Sequence, residues 1–241
     1  RINHQDLATR NRGKQPNDDK LFATKWHPIF KEAVDDLCFL RSRGYAEHSS
    51  VEIVGNRYRL NKRQRHAIRR IYVSKQDFTN RKSKELIGTA LVGKKVEIDG
   101  FNLLILLESA LSGAYIFRGR DGTIRDVSSV HGSYKRVQKT ERAIHLVGEV
   151  LQELQVAKTH WYFDKPVSNS GRLKTMLYEI STAKGFNWDI DLVYEPDKVL
   201  ARSEAVVVTA DGWILNECKQ WYNLGADLVD HHLTDYNLIE V

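Results

Sequence analysis

The fold is decided by the stretch VEIDGFN at residues 96–102, a short apolar strand that ends on an aspartate and runs into a turn. Two later runs repeat this pattern, HWYFD at residues 160–164 and VVVTADG at residues 206–212. In open α/β sheets, ligands bind beyond the carboxyl ends of parallel strands. We therefore expect three aspartates to converge on one crevice: Asp99, Asp164 and Asp211.

The pattern around these runs alternates between strands and helices. Further strands are predicted at residues 114–117, at 190–194 and near Leu228. Helices are predicted at 102–110, at 140–154, from Ser170 and from about Ile214. Strands separated by helices of about ten or more residues require right-handed crossovers. The predicted fold class is α/β, with a mainly parallel sheet flanked by helices.

The first part of the chain has a different, helical pattern. Apolar residues at helical spacing predict a helix over residues 28–43. Ser49 and Ser50 could cap a short helix at 51–54, and Asn61 could cap another over 62–72. Residues 1–20 show no periodicity and are expected to form an extended arm. We place the domain boundary at residue 90, with a basic helical module over residues 1–90 and an α/β domain over residues 91–241.

Charge is distributed unevenly between these two parts. Residues 1–90 contain 20 Lys and Arg against 10 Asp and Glu, a net +10, and residues 91–241 contain 17 against 21, a net −4. A basic half joined to a mildly acidic half suggests a polyanion-binding module beside a cation-binding one. Four arginines are candidates for phosphate contacts: Arg63, Arg65, Arg69 and Arg70. The alternative is a solvated helix face that covers the core.

Other bulk features restrict the class of protein. No apolar run reaches the roughly 18 residues that a membrane span needs. The first 20 residues do not resemble a signal sequence, and we expect a cytoplasmic protein. Cys38 and Cys218 lie far apart, which indicates neither a disulfide framework nor a zinc site.

Clustered carboxylates at a sheet edge indicate a cation. Carboxylates a few ångströms apart repel one another, so the cluster requires a bound cation or a protonated member. Oxygen ligands favour Mg²⁺ or Mn²⁺, and such an ion can activate water against a phosphodiester. Asn102 would lie beside Asp99, while the segment after Asp164 would present Ser168 and Ser170 at a helix start. Each aspartate, and Ser170, could instead be a helix cap.

As an ordered set, these motifs resemble the PIN-like nuclease superfamily of the NYN-related kind. The likeness rests on Asp99 with Asn102, on Asp164 with Ser170 and Gly171, and on Thr209 two residues before Asp211. It covers residues 95–230 and implies a Rossmann-like fold and a Mg²⁺- or Mn²⁺-dependent endoribonuclease. In that enzyme Asp99, Asp164 and Asp211 are ligands, Asn102 positions metal or substrate, and Ser170 and Thr209 support phosphate or carboxylates.

The basic segment is similar to a second family. RGY at residues 43–45, VGNRY at 54–58 and RQR at 63–65 are similar to the amino-terminal part of domain-of-unknown-function family 434. In that family the basic part is joined to a PIN-like domain, so the resemblance covers nearly the whole chain. It implies a nucleic-acid partner, with RNA held by the amino-terminal module.

Departures from the superfamily pattern leave alternatives open. Trp213 stands where many relatives have a second late aspartate. Asp197 is a fourth candidate metal ligand, which matches another family acid only loosely. Glu108 and Asp126 could also reach the crevice. The second hypothesis is therefore an RNA-binding protein with weak or absent catalysis. A phosphatase of the haloacid-dehalogenase kind is disfavoured, because its second aspartate is replaced by Phe101.

Overall fold

The computed structural model describes residues 12–128 and 139–241. Its helices are α1 (Asp18–Leu21), α2 (His27–Ser42), α3 (Glu47–Arg57), α4 (Lys62–Ile71), α5 (Lys75–Lys84), α6 (Gly100–Leu111), α7 (Thr140–Glu153), α8 (Ser170–Lys184), α9 (Pro196–Ala201), α10 (Gly212–Glu217) and α11 (Leu224–His232). Its strands are β1 (Glu85–Leu86), β2 (Lys95–Asp99), β3 (Tyr115–Arg118), β4 (Ile124–Asp126), β5 (Lys158–Asp164), β6 (Trp188–Val193), β7 (Val206–Val208), β8 (Trp221–Tyr222) and β9 (Asn237–Ile239).

A six-stranded sheet forms the centre of the second part of the chain. Its order is β1-β8-β7-β2-β5-β6, and every neighbouring pair is parallel. Helices α6, α7 and α8 pack on one face, while α9 and α10 cover part of the other. The predicted α/β class, with a parallel sheet flanked by helices and a helical amino-terminal region, is confirmed.

Strand alternation divides the side chains of β2 and β5 between the two faces. Val96 and Ile98 of β2 lie in the main core with Trp161 and Phe163 of β5. The alternate residues therefore face the side of α9 and α10. That set includes the last residue of each strand, Asp99 and Asp164, so alternation directs both carboxylates to the same side of the sheet.

The helical amino-terminal region packs on a second, smaller sheet. This three-stranded sheet has the order β4-β3-β9. Phe30, Val34 and Ile68 of the helices share a buried core with Phe117 and Ile239 of the small sheet. The region is thus anchored to the rest of the molecule by a common apolar core.

Local sequence signals explain how α4 begins. The Asn61 side chain accepts a hydrogen bond from the backbone N–H of Gln64, and the Gln64 side chain accepts one from the backbone N–H of Asn61. This reciprocal pair satisfies two donors that the first turn leaves unpaired. The predicted cap at Asn61 is confirmed.

Several predicted elements differ from the structure. The strand predicted at 114–117 belongs to the smaller sheet, because the chain turns after it into the antiparallel strand β4. Leu228 lies in α11, where Leu224 and Leu228 share a helix face. The helix predicted at 51–54 is longer, and Ser50 lies inside it with its hydroxyl donating to the Ala46 carbonyl. Short apolar runs do not by themselves distinguish strand from helix.

No helix in the described ranges has the length and apolar content that a membrane crossing requires.

The packing of Phe186 against α7 can be tested by substitution at Gly148. A Cβ on Gly148 would overlap the Phe186 ring, whereas a Cβ on Gly171 would meet no atom within 4 Å. We expect Gly148→Ala to lower the free energy of unfolding by about 1–3 kcal/mol through overpacking. Gly171→Ala, the matched control on α8, should be at least as stable as the wild type. Urea denaturation of both variants measures this, and equal stability of the two would contradict the packing.

Candidate functional site

Strand register sets the spacing of the three predicted aspartates. Asp99 lies opposite Tyr162 of β5, so Asp164 extends two residues further, about 6.6 Å along the sheet. Ile98 lies opposite Val208 of β7, which brings Thr209 beside Asp99. The carboxylates therefore reach one edge of the sheet but at different heights.

Hydrogen bonds join the end of β2 to the turn between β7 and α10. The Thr209 hydroxyl donates to Asp99 Oδ2 at 2.8 Å and accepts from the backbone N–H of Asp211 at 3.0 Å. The Asn102 Oδ1 accepts from the backbone N–H of Ala210 at 2.9 Å. Thr209 and Asn102 thus hold the turn that carries Asp211 against Asp99.

Five acidic side chains line one cleft at this edge, which we call the carboxylate cleft. Its volume is about 410 Å³. The acids that line it are Asp99, Asp164, Glu195, Asp197 and Asp211. The structure thereby brings together all four residues predicted to hold metal. Tyr194 and Glu195 also line the cleft and were not predicted. Pro196 could have indicated them, because proline favours the first turn of a helix and so marks Glu195 as the residue just before α9.

Burial and neighbouring charges in the cleft raise the pKa values of two of its aspartates. Burial and the neighbouring carboxylates of Asp211 and Asp197 raise the pKa of Asp99 to about 7, against the hydrogen bond from Thr209. Burial together with Asp197 and Glu195 raises the pKa of Asp164. The ionised forms of Asp99 and Asp164 are therefore disfavoured by neighbouring negative charges. A cation in the cleft would offset this repulsion.

The acids do not form a preassembled ligand cage. Within residues 12–128 and 139–241, no group of three or more His, Cys, Asp or Glu side chains is arranged to hold a metal ion. The register explains this spread, because Asp99 and Asp164 end at different heights on adjacent strands. The donor chemistry is that of a hard cation such as Mg²⁺.

Asp211 has a structural role as well as a place in the cleft. Its Oδ1 accepts hydrogen bonds from the backbone N–H groups of Trp213 and Ile214, and so caps the start of α10. These bonds use one carboxylate oxygen and leave Oδ2 for other partners. Capping and cleft lining therefore coexist in the same residue.

Other predicted residues lie away from the carboxylate cleft. Ser168 is exposed in the loop after β5, and Ser170 is buried at the start of α8. The residue at the cap position is Asn169, which has a positive φ of 70°. Glu108 is buried and contacts Arg12 and Thr140.

The four predicted phosphate-binding arginines of α4 have different surroundings. Arg63 forms a two-point ion pair with the buried Asp18, which places residue 18 in the packed structure rather than in an extended arm. Arg65 donates to Asn56 and to the Leu60 carbonyl. Both guanidiniums are therefore engaged within the helical region.

Arg69 and Arg70 line a second hollow, which we call the arginine groove. It has a volume of about 750 Å³ and lies between the helical region and the turn that carries Asp211. Asp126 also lines it, rather than the carboxylate cleft. Asp211 lines both hollows, so the groove and the cleft adjoin at that residue.

A buried ion-pair triad joins the helical region to the small sheet, and no sequence pattern indicated it. Asp121 is fully buried and accepts from Arg81 at 2.7 Å and from Arg125 at 2.9 Å. Burial opposes its ionisation, but these two guanidiniums hold the pKa of Asp121 well below its usual range. Arg125 also donates to the carbonyl of Ala210, next to Asp211. The stretch at 120–122 reads as an ordinary turn, which concealed this role.

Comparison with known proteins finds two families. Residues 88–227 match the family described as "Domain of unknown function (DUF5616)", and residues 29–84 match "Protein of unknown function (DUF434)". The predicted likeness to family 434 is thus confirmed for the amino-terminal part. None of these descriptions names a PIN-like nuclease, and that likeness stays a prediction.

A curated relative covers most of the chain. The chain is 34% identical over 187 residues to "Uncharacterized protein MJ0935" of Methanocaldococcus jannaschii. The match spans 77% of this chain and 88% of the relative. No solved structure matches the chain significantly.

The raised pKa of Asp99 predicts a pH-dependent effect on stability. The unfolded carboxyl titrates near pH 3.9, so between about pH 4 and 7 the folded state keeps a proton that the unfolded state releases. Stability is therefore lost as the pH rises through this window. We expect Asp99→Asn to raise the melting temperature relative to wild type at pH 8, and to do so much less at pH 4.

Thermal unfolding in EDTA at the two pH values measures the difference. Asp235→Asn removes an exposed carboxylate between α11 and β9 and serves as the control. If Asp99→Asn stabilised the protein equally at both pH values, the pKa of Asp99 would not be raised in the folded state.

Proposed function

The chain belongs to the DUF5616 family, and we propose that it is a metal-dependent ribonuclease that hydrolyses RNA phosphodiester bonds at the carboxylate cleft. One observation carries this proposal. Five acidic side chains share one cleft: those of Asp99, Asp164, Glu195, Asp197 and Asp211. Burial there, together with the charges of Asp211 and Asp197, raises the pKa of Asp99. The likeness of the motifs to PIN-like nucleases agrees with it.

The donor set fits Mg²⁺ or Mn²⁺. Mg²⁺ usually keeps several waters and takes only one or two protein carboxylates, so a cluster spread over two strand heights suits it better than a compact cage. Asp99, Asp164, Asp197 and Asp211 would hold the ion. When bound, such an ion supplies a polarised phosphate and an activated water.

The residues of the chain have separable roles in this proposal. Thr209 and Asn102 keep the turn of Asp211 against Asp99, as their hydrogen bonds show. Asp99, protonated up to about pH 7, would lose its proton when a cation enters, because an adjacent positive charge favours the ionised form. Arg69 and Arg70 would attract the RNA backbone toward the cleft.

A second candidate is RNA binding without cleavage. It is favoured by Trp213, which stands where PIN-like relatives have an additional acid, and by the different heights of Asp99 and Asp164. Under this function the protein binds RNA as tightly after Asp164→Asn as before, and no divalent ion produces cleavage.

Cleavage assays test the proposed function directly. Labelled single-stranded RNA and transfer RNA are incubated with the protein in Mg²⁺ or Mn²⁺, and in excess EDTA. We expect cleavage only with the ion, and a loss of more than about 100-fold in Asp164→Asn, since even outer partners of metal ligands contribute about 10–100-fold. The matched control is Asp189→Asn, a carboxylate near the amino end of β6, away from the cleft. Cleavage in EDTA, or by Asp164→Asn at the wild-type rate, would refute it.

Metal binding also has a readout that does not depend on activity. A ligand present at 100 times its Kd stabilises the folded state by about 2.7 kcal/mol. For a chain of this size we expect saturating Mn²⁺ to raise the melting temperature by about 5–10 °C. The increase should disappear in the double variant Asp99→Asn, Asp164→Asn and persist in Asp189→Asn. An equal increase in all three would place the ion elsewhere.

A further inference from the structure

The arginine groove has a composition that differs from that of the carboxylate cleft. Arg41, Arg69 and Arg70 come from the helical region, while Phe101 and Trp213 come from the ends of α6 and α10. Trp213 directly follows the turn of Asp211, and 49% of its surface is exposed. A large indole left half exposed at the junction of the two hollows is available to an incoming planar group.

Two donors on residues that line the groove lack partners within the described parts of the chain. The Nε atoms of Arg41 and Arg70 are buried, and neither makes a hydrogen bond to another described residue. A buried donor without a partner is costly, so each such group calls for an explanation. Burial, together with the charges of Arg125 and Arg69, lowers the pKa of Arg70. The charges of Asp126 and Asp211 oppose this lowering, and an anion beside Arg70 would also satisfy its unpaired Nε donor.

A third hollow continues the path away from the carboxylate cleft. It follows α4 past Lys62 and His66, and it shares Arg69 and Arg70 with the arginine groove. Asp211 joins the first hollow to the second, and these two arginines join the second to the third. The three hollows form one track, with acids in the carboxylate cleft, arginines, acids and the exposed Trp213 in the arginine groove, and cations along α4.

We propose that this track binds single-stranded RNA, with one unstacked base on Trp213 and the adjoining backbone phosphates on Arg69 and Arg70. The inference rests on the proposed function in taking RNA as the substrate, and it adds the strand state that the site selects. Bases in a duplex are stacked and paired, so their faces cannot reach an indole. Single strands expose a face on every base, and stacking on an aromatic side chain is tolerant of sequence.

The first test measures binding without catalysis. Fluorescence anisotropy is recorded with a labelled 12-nucleotide single-stranded RNA and with its duplex, both in EDTA so that no cleavage occurs. We expect the single strand to bind more tightly. Trp213→Ala should weaken binding of the single strand by about 5- to 150-fold, and Trp213→Phe, which keeps a ring, by less than about threefold.

The matched control is Tyr178→Ala, which removes an exposed ring from α8 that lies outside all three hollows. It should bind as the wild type does. Equal affinity for duplex and single strand, or wild-type binding by Trp213→Ala, would overturn the inference.

The salt dependence of binding tests the arginines separately. Arg69→Gln should reduce the slope of log K against log salt by about 0.7, the value of one phosphate contact in a single strand. Arg57→Gln is the control, because Arg57 is also an exposed arginine paired with an acid, as Arg69 is with Glu47. Equal slopes for the two variants would remove Arg69 from the track.

These outcomes separate the two proposals. Selective binding that depends on Trp213, without cleavage in any divalent ion, would refute the nuclease function alone. Metal-dependent cleavage of duplex and single strand at equal rates, with Trp213→Ala unaffected, would refute the inference about the track alone.

Discussion

The buried carboxylate of Asp121 holds the two parts of the molecule in one arrangement. Arg81 reaches it from the helical region and Arg125 from the small sheet, and Arg81 also donates to Asn216 in α10. Removing one member of such a buried group leaves an uncompensated charge, which typically costs about 3–5 kcal/mol. Arg81 and Arg125 therefore contact both Asp121 and the segment around Asp211, so the same ion pairs that anchor the helical region also position the turn that carries Asp211. Both hollows depend on that turn.

The carboxylate cleft illustrates a conflict between stability and site chemistry. Strand alternation and register place Asp99 and Asp164 on one side of the sheet, where burial and the charges of Asp197 and other nearby acids disfavour their ionised forms. The hydrogen bond from the Thr209 hydroxyl compensates only part of this cost of burial and repulsion, since the pKa of Asp99 remains high. Functional sites often contain local features that oppose folding, and these persist because the surrounding structure is stable enough to hold them in place. The extensive apolar core behind β2 and β5 supplies that surrounding structure.

The sequence predicted the parallel sheet and the approach of its terminal aspartates, because both follow from short-range periodicity and strand order. It also placed Asp197 near the cleft, through a family likeness rather than a spacing rule. It did not predict that Arg63 pairs with Asp18 or that Asp121 joins two arginines, because those contacts connect residues 45 and 40 positions apart. The strand height that separates Asp99 from Asp164 was likewise hidden, since register depends on how two strands pair and not on either strand alone.

The shared apolar core beneath the helical region makes each of the two family segments dependent on the other for its burial. Phe30 and Ile68 belong to the segment at residues 29–84, yet they are buried against Phe117 from the segment at residues 88–227. Separation would expose this apolar surface on both fragments, and each would be prone to self-association. We therefore expect the two segments to unfold as one cooperative unit, since neither can keep its apolar core closed without the other.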